Sequence, residues 1–78
     1  MDEQAVERAV QQIRAYLAQR PQAADTLEGV HRWWIDWQDR EESPVVTLAA
    51  LERLAAGGEL AAFAVGRQTL WRRAVAAP

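Results

Sequence analysis

The side chains that can carry chemistry in this chain are one histidine, nine arginines and eleven carboxylates, and there is no cysteine. Ser43, His31 and Asp25 are the residue types of a hydrolytic triad, in which a base activates a hydroxyl nucleophile. No glycine-rich elbow surrounds Ser43, however. The serine instead precedes a proline and an apolar run, where a serine caps a helix. We therefore expect no hydrolytic site.

Metal chemistry and acid–base chemistry are disfavoured for similar reasons. His31 has no second histidine and no cysteine to complete a metal site, so we expect it on a helix surface. Asp36 and Asp39 lie three residues apart, but a working carboxylate pair needs a cleft that perturbs its pKa. A chain of 78 residues rarely encloses such a cleft. The sequence predicts a solvated acidic loop and a protein that is not an enzyme, with no cofactor and no metal.

The charges are unevenly distributed around a net charge of −2. Residues 21–60 hold eight acids against three arginines, whereas the last eighteen residues hold Arg67, Arg72 and Arg73 and no acid. A strongly basic nucleic-acid footprint is therefore absent. No apolar run approaches the ~20 residues that span a bilayer, and the acidic start is unlike a signal peptide. We expect a cytoplasmic protein, and arginine without lysine beside abundant alanine is typical of bacterial, GC-rich coding.

Helical patterns fill most of the chain, which we expect to fold as one domain over residues 1–78. Apolar side chains recur every three or four residues in three segments, the spacing of an amphipathic helix. Pro21 ends the first segment, an Asp-Thr-Leu-Glu sequence caps the second, and Ser43 with Pro44 begins the third. The predicted elements are helix 1 at about 3–19, helix 2 at about 26–37 and helix 3 at about 44–57.

A β-hairpin is predicted at residues 60–73. Gly57-Gly58 ends helix 3, because glycine adopts the left-handed conformation of a C-cap. Short β-compatible segments follow, and Gly66-Arg67 fits a two-residue type II′ turn. Trp71 in the second segment is expected to cover the core. The many alanines leave open that residues 60–64 continue as helix.

The sequence Ala50-Leu51-Glu52-Arg53-Leu54, followed three residues later by Gly58-Glu59-Leu60 and a hairpin, resembles the junction of recognition helix and wing in bacterial winged-helix (winged helix-turn-helix) proteins. The resemblance is sharpest over residues 44–73. It implies a mainly α fold, three helices with a C-terminal two-stranded β-hairpin. In DNA-binding members the third helix enters the major groove and the wing contacts phosphates. The matching cations here are Arg53, Arg67, Arg72 and Arg73.

The solvent face predicted for helix 3 departs from the DNA-binding pattern. Its residues are mostly small or apolar, and Glu52 would face a negatively charged DNA backbone. The face consists of Val45, Ala49, Glu52, Arg53 and Ala56. Such a face favours contact with protein over contact with DNA.

The tryptophans of helix 2 also favour contact with protein. Trp34 and Trp37 share its buried stripe with Leu27 and Val30, whereas Trp33 and Ile35 lie about 160° apart on its two flanks. One of the two flanking residues should be exposed, and an exposed tryptophan is a typical interface anchor. We therefore hypothesise a non-enzymatic module that binds a protein partner or itself through Trp33, Ile35, Val45, Ala49 and Ala56. The alternative is a DNA-binding regulator that uses Arg53 and the hairpin arginines.

Overall fold

Three helices and a three-stranded antiparallel sheet form the part of the chain that the computed structural model describes, residues 2–38 and 40–75. The chain order is α1 (Glu3–Gln19), β1 (Ala24–Asp25), α2 (Leu27–Gly29, continued by a π-helical turn at Val30–Trp34), α3 (Pro44–Ala56), β2 (Leu60–Val65) and β3 (Gln68–Arg73). Asp39, half of the carboxylate pair considered above, lies outside the described residues, as do Met1 and residues 76–78 of the predicted domain.

The first helix, α1, spans the residues predicted for helix 1 and forms one wall of the core. The Asp2 carboxylate caps it by accepting a hydrogen bond of 2.9 Å from the Gln4 backbone N–H. Its apolar stripe packs against α3. The buried residues of that stripe are Ala5, Val6, Ala9, Val10, Ile13 and Leu17.

The second helix is shorter than predicted. Thr26 is its N-cap, since its Oγ1 accepts a 3.1 Å hydrogen bond from the Gly29 backbone N–H. The backbone leaves the helix at Ile35, where φ is −113° and ψ is 127°. The indole N–H of Trp37 donates to the His31 carbonyl at 2.8 Å. That contact satisfies one of the carbonyls left without a partner at the end of the helix.

The third helix, α3, begins and ends at its sequence signals. Ser43 Oγ accepts from the Val45 backbone N–H at 3.1 Å, and Pro44 occupies the first turn. At the other end Gly58 has a φ of +82°. Hydrogen bonds from Gly58 N to Ala55 O (3.0 Å) and from Glu59 N to Leu54 O (2.9 Å) form a Schellman motif. The motif turns the chain so that β2 starts immediately afterwards.

The hairpin expected after α3 is present. β2 pairs with β3 from Leu60↔Arg73 to Val65↔Gln68, and Gly66 at the turn has a φ of +61°. Trp71 is only 8% exposed and covers the core, as expected. The sequence analysis missed β1, which pairs with β3 through Ala24↔Arg72 and makes the strand order β1-β3-β2.

Candidate interaction surface

The two flanking residues of α2 lie in opposite environments. Trp33 is 73% exposed, whereas Ile35 is 5% exposed and belongs to the core. The expectation that Ile35 contributes to a binding surface is therefore wrong. Its physical reason is the early end of α2, because the extended backbone at Ile35 turns this side chain inward beside Trp34.

The outward face of α3 carries two charged residues, Glu52 and Arg53, and is otherwise uncharged. Val45 is 57% exposed and Ala56 is exposed, while Ala49 is half-buried. The opposite face of the helix carries Val46, Thr47, Ala50, Leu51 and Leu54, all buried. Because α2 packs against α3, Trp33 stands on the helix next to this face. We call Trp33, Val45, Ala49 and Ala56 the α2–α3 surface.

Arg53, the one arginine of α3, is held by α1. Its Nη1 lies 2.6 Å from Glu3 Oε1 and 3.5 Å from Glu7 Oε2. The hydrogen bond from Arg53 holds the pKa of the Glu3 carboxyl below its usual value and raises the pKa of Arg53 itself. The guanidinium therefore serves as a link between α1 and α3, which departs from the DNA-contacting role that the family resemblance implied.

The hairpin arginines have no such carboxylate partners among residues 2–38 and 40–75. Arg67 in the turn and Arg73 at the end of β3 are exposed. The Arg72 guanidinium lies 4.6 Å from the centre of the Phe63 ring, in a cation–π contact on the hairpin. The hairpin thus carries three arginines, of which the consecutive Arg72 and Arg73 point to opposite faces of the sheet and Arg67 lies at the turn.

His31 is buried, contrary to the expectation of a surface residue, and is only 4% exposed. Its Nδ1 lies 2.6 Å from Thr47 Oγ1, and its Nε2 lies 2.8 Å from Glu41 Oε2. The Trp37 ring packs against the imidazole with centroids 5.0 Å apart. The sequence held one indication that a polar side chain is buried here. Thr47 lies on the buried stripe of α3, and a buried hydroxyl requires a polar partner.

Thr47, His31 and Glu41 are the residue types of a hydrolytic triad, but the hydroxyl of this cluster is not accessible. Thr47 is 0% exposed, so no substrate can reach its hydroxyl. Ser43, the hydroxyl considered in the sequence, is occupied as a helix cap, and the Asp25 carboxylate accepts from the Thr26 backbone N–H at 2.8 Å. The cluster therefore joins α2, the following loop and α3, and it fixes how the two helices pack.

The grooves of the molecule do not resemble a built ligand site. The one between α2, the start of α3 and β3 has a volume of about 710 Å³ and includes His31, Leu48 and Trp71 in its lining. Every buried side-chain nitrogen and oxygen in the described part of the chain has a hydrogen-bond partner. Among the described residues, no buried side-chain polar atom is therefore left for a small molecule to satisfy.

Comparison with known proteins adds no relative, since no protein-family model, curated protein or solved structure matches the chain. Within residues 2–38 and 40–75, no group of three or more histidine, aspartate or glutamate side chains is placed to hold a metal ion. In the same ranges, no helix has the length and apolar character needed to cross a membrane.

Proposed function

We propose that the protein is a cytoplasmic, non-enzymatic winged-helix module that binds a protein partner, or a second copy of itself, through the α2–α3 surface. Support for the winged-helix assignment comes from the order of the elements. The third helix ends at Gly58 in a Schellman motif and leads directly into the β2–β3 hairpin. This is the order of a recognition helix followed by a wing.

The observation that carries the proposal is the exposure of Trp33. A tryptophan side chain offers roughly 150–250 Å² of contact area, and 73% of this residue faces solvent. Burial of such an area at ~25 cal/mol per Å² contributes several kcal/mol before ordering costs. Tryptophan is also among the residues that dominate binding energy at protein interfaces.

The outward face of α3 is the second part of the proposed surface. Val45 and Ala56 are exposed and apolar, and Ala49 is small and half-buried. Small side chains let a partner helix approach closely. The absence of an available cation on this face disfavours a DNA backbone as the occupant, because Arg53 is ion-paired with Glu3 and Glu7.

A single substitution tests the proposal. Ala49→Arg adds a long cation to the α2–α3 surface, so we expect it to weaken partner binding or self-association at least about tenfold. Ala15→Arg is the matched control, since Ala15 is an exposed alanine within α1. Partners recovered by chemical cross-linking with the parent protein would be titrated against both variants, and light scattering would report self-association.

The proposal predicts that the parent and Ala15→Arg bind alike while Ala49→Arg and Trp33→Ala do not. Equal binding by all four proteins would refute it. Amide spectra of each variant must show an intact fold, which separates lost binding from lost structure.

The basic hairpin supports a second candidate function, a DNA-binding regulator. Arg67, Arg72 and Arg73 are exposed and have no carboxylate partner within the described residues. Phosphate-driven binding must weaken steeply as salt rises, whereas an apolar interface is much less salt-sensitive. A low-salt amide-shift titration with mixed-sequence duplex DNA distinguishes the two. Salt-sensitive binding that Ala49→Arg strengthens would favour DNA over the interaction module.

A further inference from the structure

His31 lies between two side-chain oxygens that belong to different parts of the chain. Its Nδ1 is 2.6 Å from Oγ1 of Thr47 in α3, and its Nε2 is 2.8 Å from Oε2 of Glu41, in the loop between α2 and α3. His31 is 4% exposed and Thr47 is 0% exposed, whereas the Glu41 side chain is 66% exposed. We call these three residues the Glu41–His31–Thr47 relay. Only its Glu41 end reaches solvent.

The chemistry of the two partners determines where the imidazole carries its proton. A carboxylate oxygen accepts hydrogen bonds and has no proton to donate, so Nε2 is the donor toward Glu41. In the neutral imidazole Nδ1 is then the acceptor, and the Thr47 hydroxyl donates to it. This arrangement satisfies the buried hydroxyl as well as both ring nitrogens. Glu41 therefore sets the direction of the hydrogen bond between His31 and Thr47.

Few charged groups other than Glu41 lie near the imidazole. The groove beside it is lined by Glu28, Arg32 and Glu41, and the residues that α3 and β3 contribute to its lining are uncharged. Glu28 and Arg32 are paired with each other at 3.1 Å. The Trp37 ring packs on the imidazole and carries no charge. Within residues 2–38 and 40–75, Glu41 is therefore the one carboxylate that contacts the ring.

The relay joins the two helices at the level of the α2–α3 surface. Trp33 follows His31 by two residues in the π-helical turn, and Val45 precedes Thr47 by two residues in α3. Residues two apart in a helix point to different sides, and here one of each pair is buried and the other exposed. The His31–Thr47 bond therefore fixes the two segments that carry Trp33 and Val45. π-Helical turns are rare and occur frequently at functional sites.

We propose that the exposed Glu41 regulates the α2–α3 surface through His31 and Thr47. With the carboxylate in place, the ring proton stays on Nε2 and the Thr47 hydroxyl donates to Nδ1, which holds Trp33 and Val45 in one relative position. When the carboxylate is removed, the proton exchanges onto Nδ1 and the bond to Thr47 reverses. The buried hydroxyl then needs another acceptor, so α2 shifts on α3. His31 is thus a positioning residue, and its effect on binding rests on the proposed function.

Nitrogen-15 NMR of the imidazole tests the proton assignment, because His31 is the only histidine. At about pH 8 a histidine side chain is ordinarily neutral, and the spectrum distinguishes the protonated ring nitrogen from the other. We expect the proton on Nε2 in the parent. Glu41→Lys replaces the acceptor by a donor and should lower the fraction of this tautomer, whereas the control Glu42→Lys should preserve it. A parent with its proton on Nδ1, or equal spectra for both variants, would overturn the relay.

Residual dipolar couplings of the backbone amides test the positioning of α2 on α3 without any partner. Thr47→Val removes the hydroxyl at nearly constant shape, so it should change the angle between the two helices, and Glu41→Lys should change it as well. Thr47→Ser keeps a hydroxyl and should recover the parent angle. If Thr47→Val does not fold, Glu41→Lys decides, because the Glu41 side chain is exposed. The parent angle in folded Glu41→Lys contradicts the proposal.

Binding is measured with a partner recovered by cross-linking, or as self-association by light scattering. Glu41→Lys should weaken it at least about tenfold, and Glu41→Gln should recover it, because an amide oxygen still accepts from Nε2.

The outcomes separate this proposal from the proposed function. Weaker binding by Glu41→Lys at an unchanged helix angle would mean direct charge contact with the partner and would overturn the relay. A changed angle with unchanged binding, where Trp33→Ala abolishes binding, removes the regulatory role and leaves the proposed function standing. If Trp33→Ala also binds like the parent, the proposed function fails, and the tautomer and the helix angle alone decide the relay.

Discussion

Trp33 and Trp34 are neighbours on α2, but Trp34 is buried in the core and Trp33 is exposed to solvent. Trp34 is 4% exposed, and its ring stacks on Tyr16 with centroids 4.8 Å apart and planes inclined by 10°. The Arg20 guanidinium lies 4.8 Å from the centre of the Tyr16 ring, in a cation–π contact. Trp33, which immediately precedes it in the sequence, is 73% exposed. One side chain therefore joins α1 to α2, and the other is available to a partner.

The pair makes a matched stability experiment. Trp34→Ala should lower the free energy of unfolding by roughly 3–5 kcal/mol, the range for truncation of a large buried aromatic. That loss is a large part of the stability of a small domain. Trp33→Ala should change it by less than about 0.5 kcal/mol, as exposed substitutions do. Chemical denaturation of both variants checks this, and equal losses would show that the Trp33 indole is packed in solution.

The elements follow the sequence where local signals define them. Helices α1 and α3 have a cap, an apolar period and a stop signal, and glycine at the hairpin turn supplies the positive φ that the turn needs. The end of α2 is different, because no capping residue or glycine marks it and the Trp37 indole donates to the His31 carbonyl there. Strand β1 has only two residues and exists through its pairing with β3. No local pattern encodes such tertiary contacts.

The sequence likewise predicted only part of the candidate surface. Helical periodicity placed Val45 and Ala56 on the outward face of α3, where they lie. Periodicity could not place Ile35, because the helix ends before it, nor reveal that Glu3 and Glu7 hold Arg53.

The glycine pair after α3 gives the prediction at the scale of an element. Gly58 has a φ of +82°, a conformation that side chains with a Cβ adopt at a cost, so Gly58→Ala should destabilise by about 1–2 kcal/mol. Gly57 has a φ of −83°, and a Cβ there meets ordinary contacts no closer than 3.6 Å. Gly57→Ala should be neutral or stabilise by up to about 1 kcal/mol. Thermal melts of the two variants check the sign, and matching effects would contradict the Schellman motif.

At the scale of the whole molecule, two arginines join α1 to the rest of the fold through three ion pairs. Arg53 of α3 reaches Glu3 and Glu7 near the start of α1, and Arg14 of α1 binds Glu59 just before β2. Hydrogen bonds from these arginines lower the pKa of Glu3 and of Glu59 below the usual 4.5. All of these side chains are substantially exposed, so each pair is screened by solvent and salt.

The lowered carboxyl pKa values fix the sign of the pH dependence. A carboxyl with a depressed pKa in the folded state stabilises the protein above its unfolded pKa and loses that contribution as the pH falls through its folded pKa. The melting temperature of the parent should therefore fall more steeply between about pH 5 and pH 3 than that of an Arg14→Gln, Arg53→Gln double variant. Arg8→Gln is the control, since Arg8 lies on α1 and has no ion pair among the described residues. Its melting curve should follow the parent at every pH. Added salt at about 1 M should bring the parent and the double variant together. A double variant that keeps the parent's steep acid limb would mean that these arginines do not hold α1 in solution.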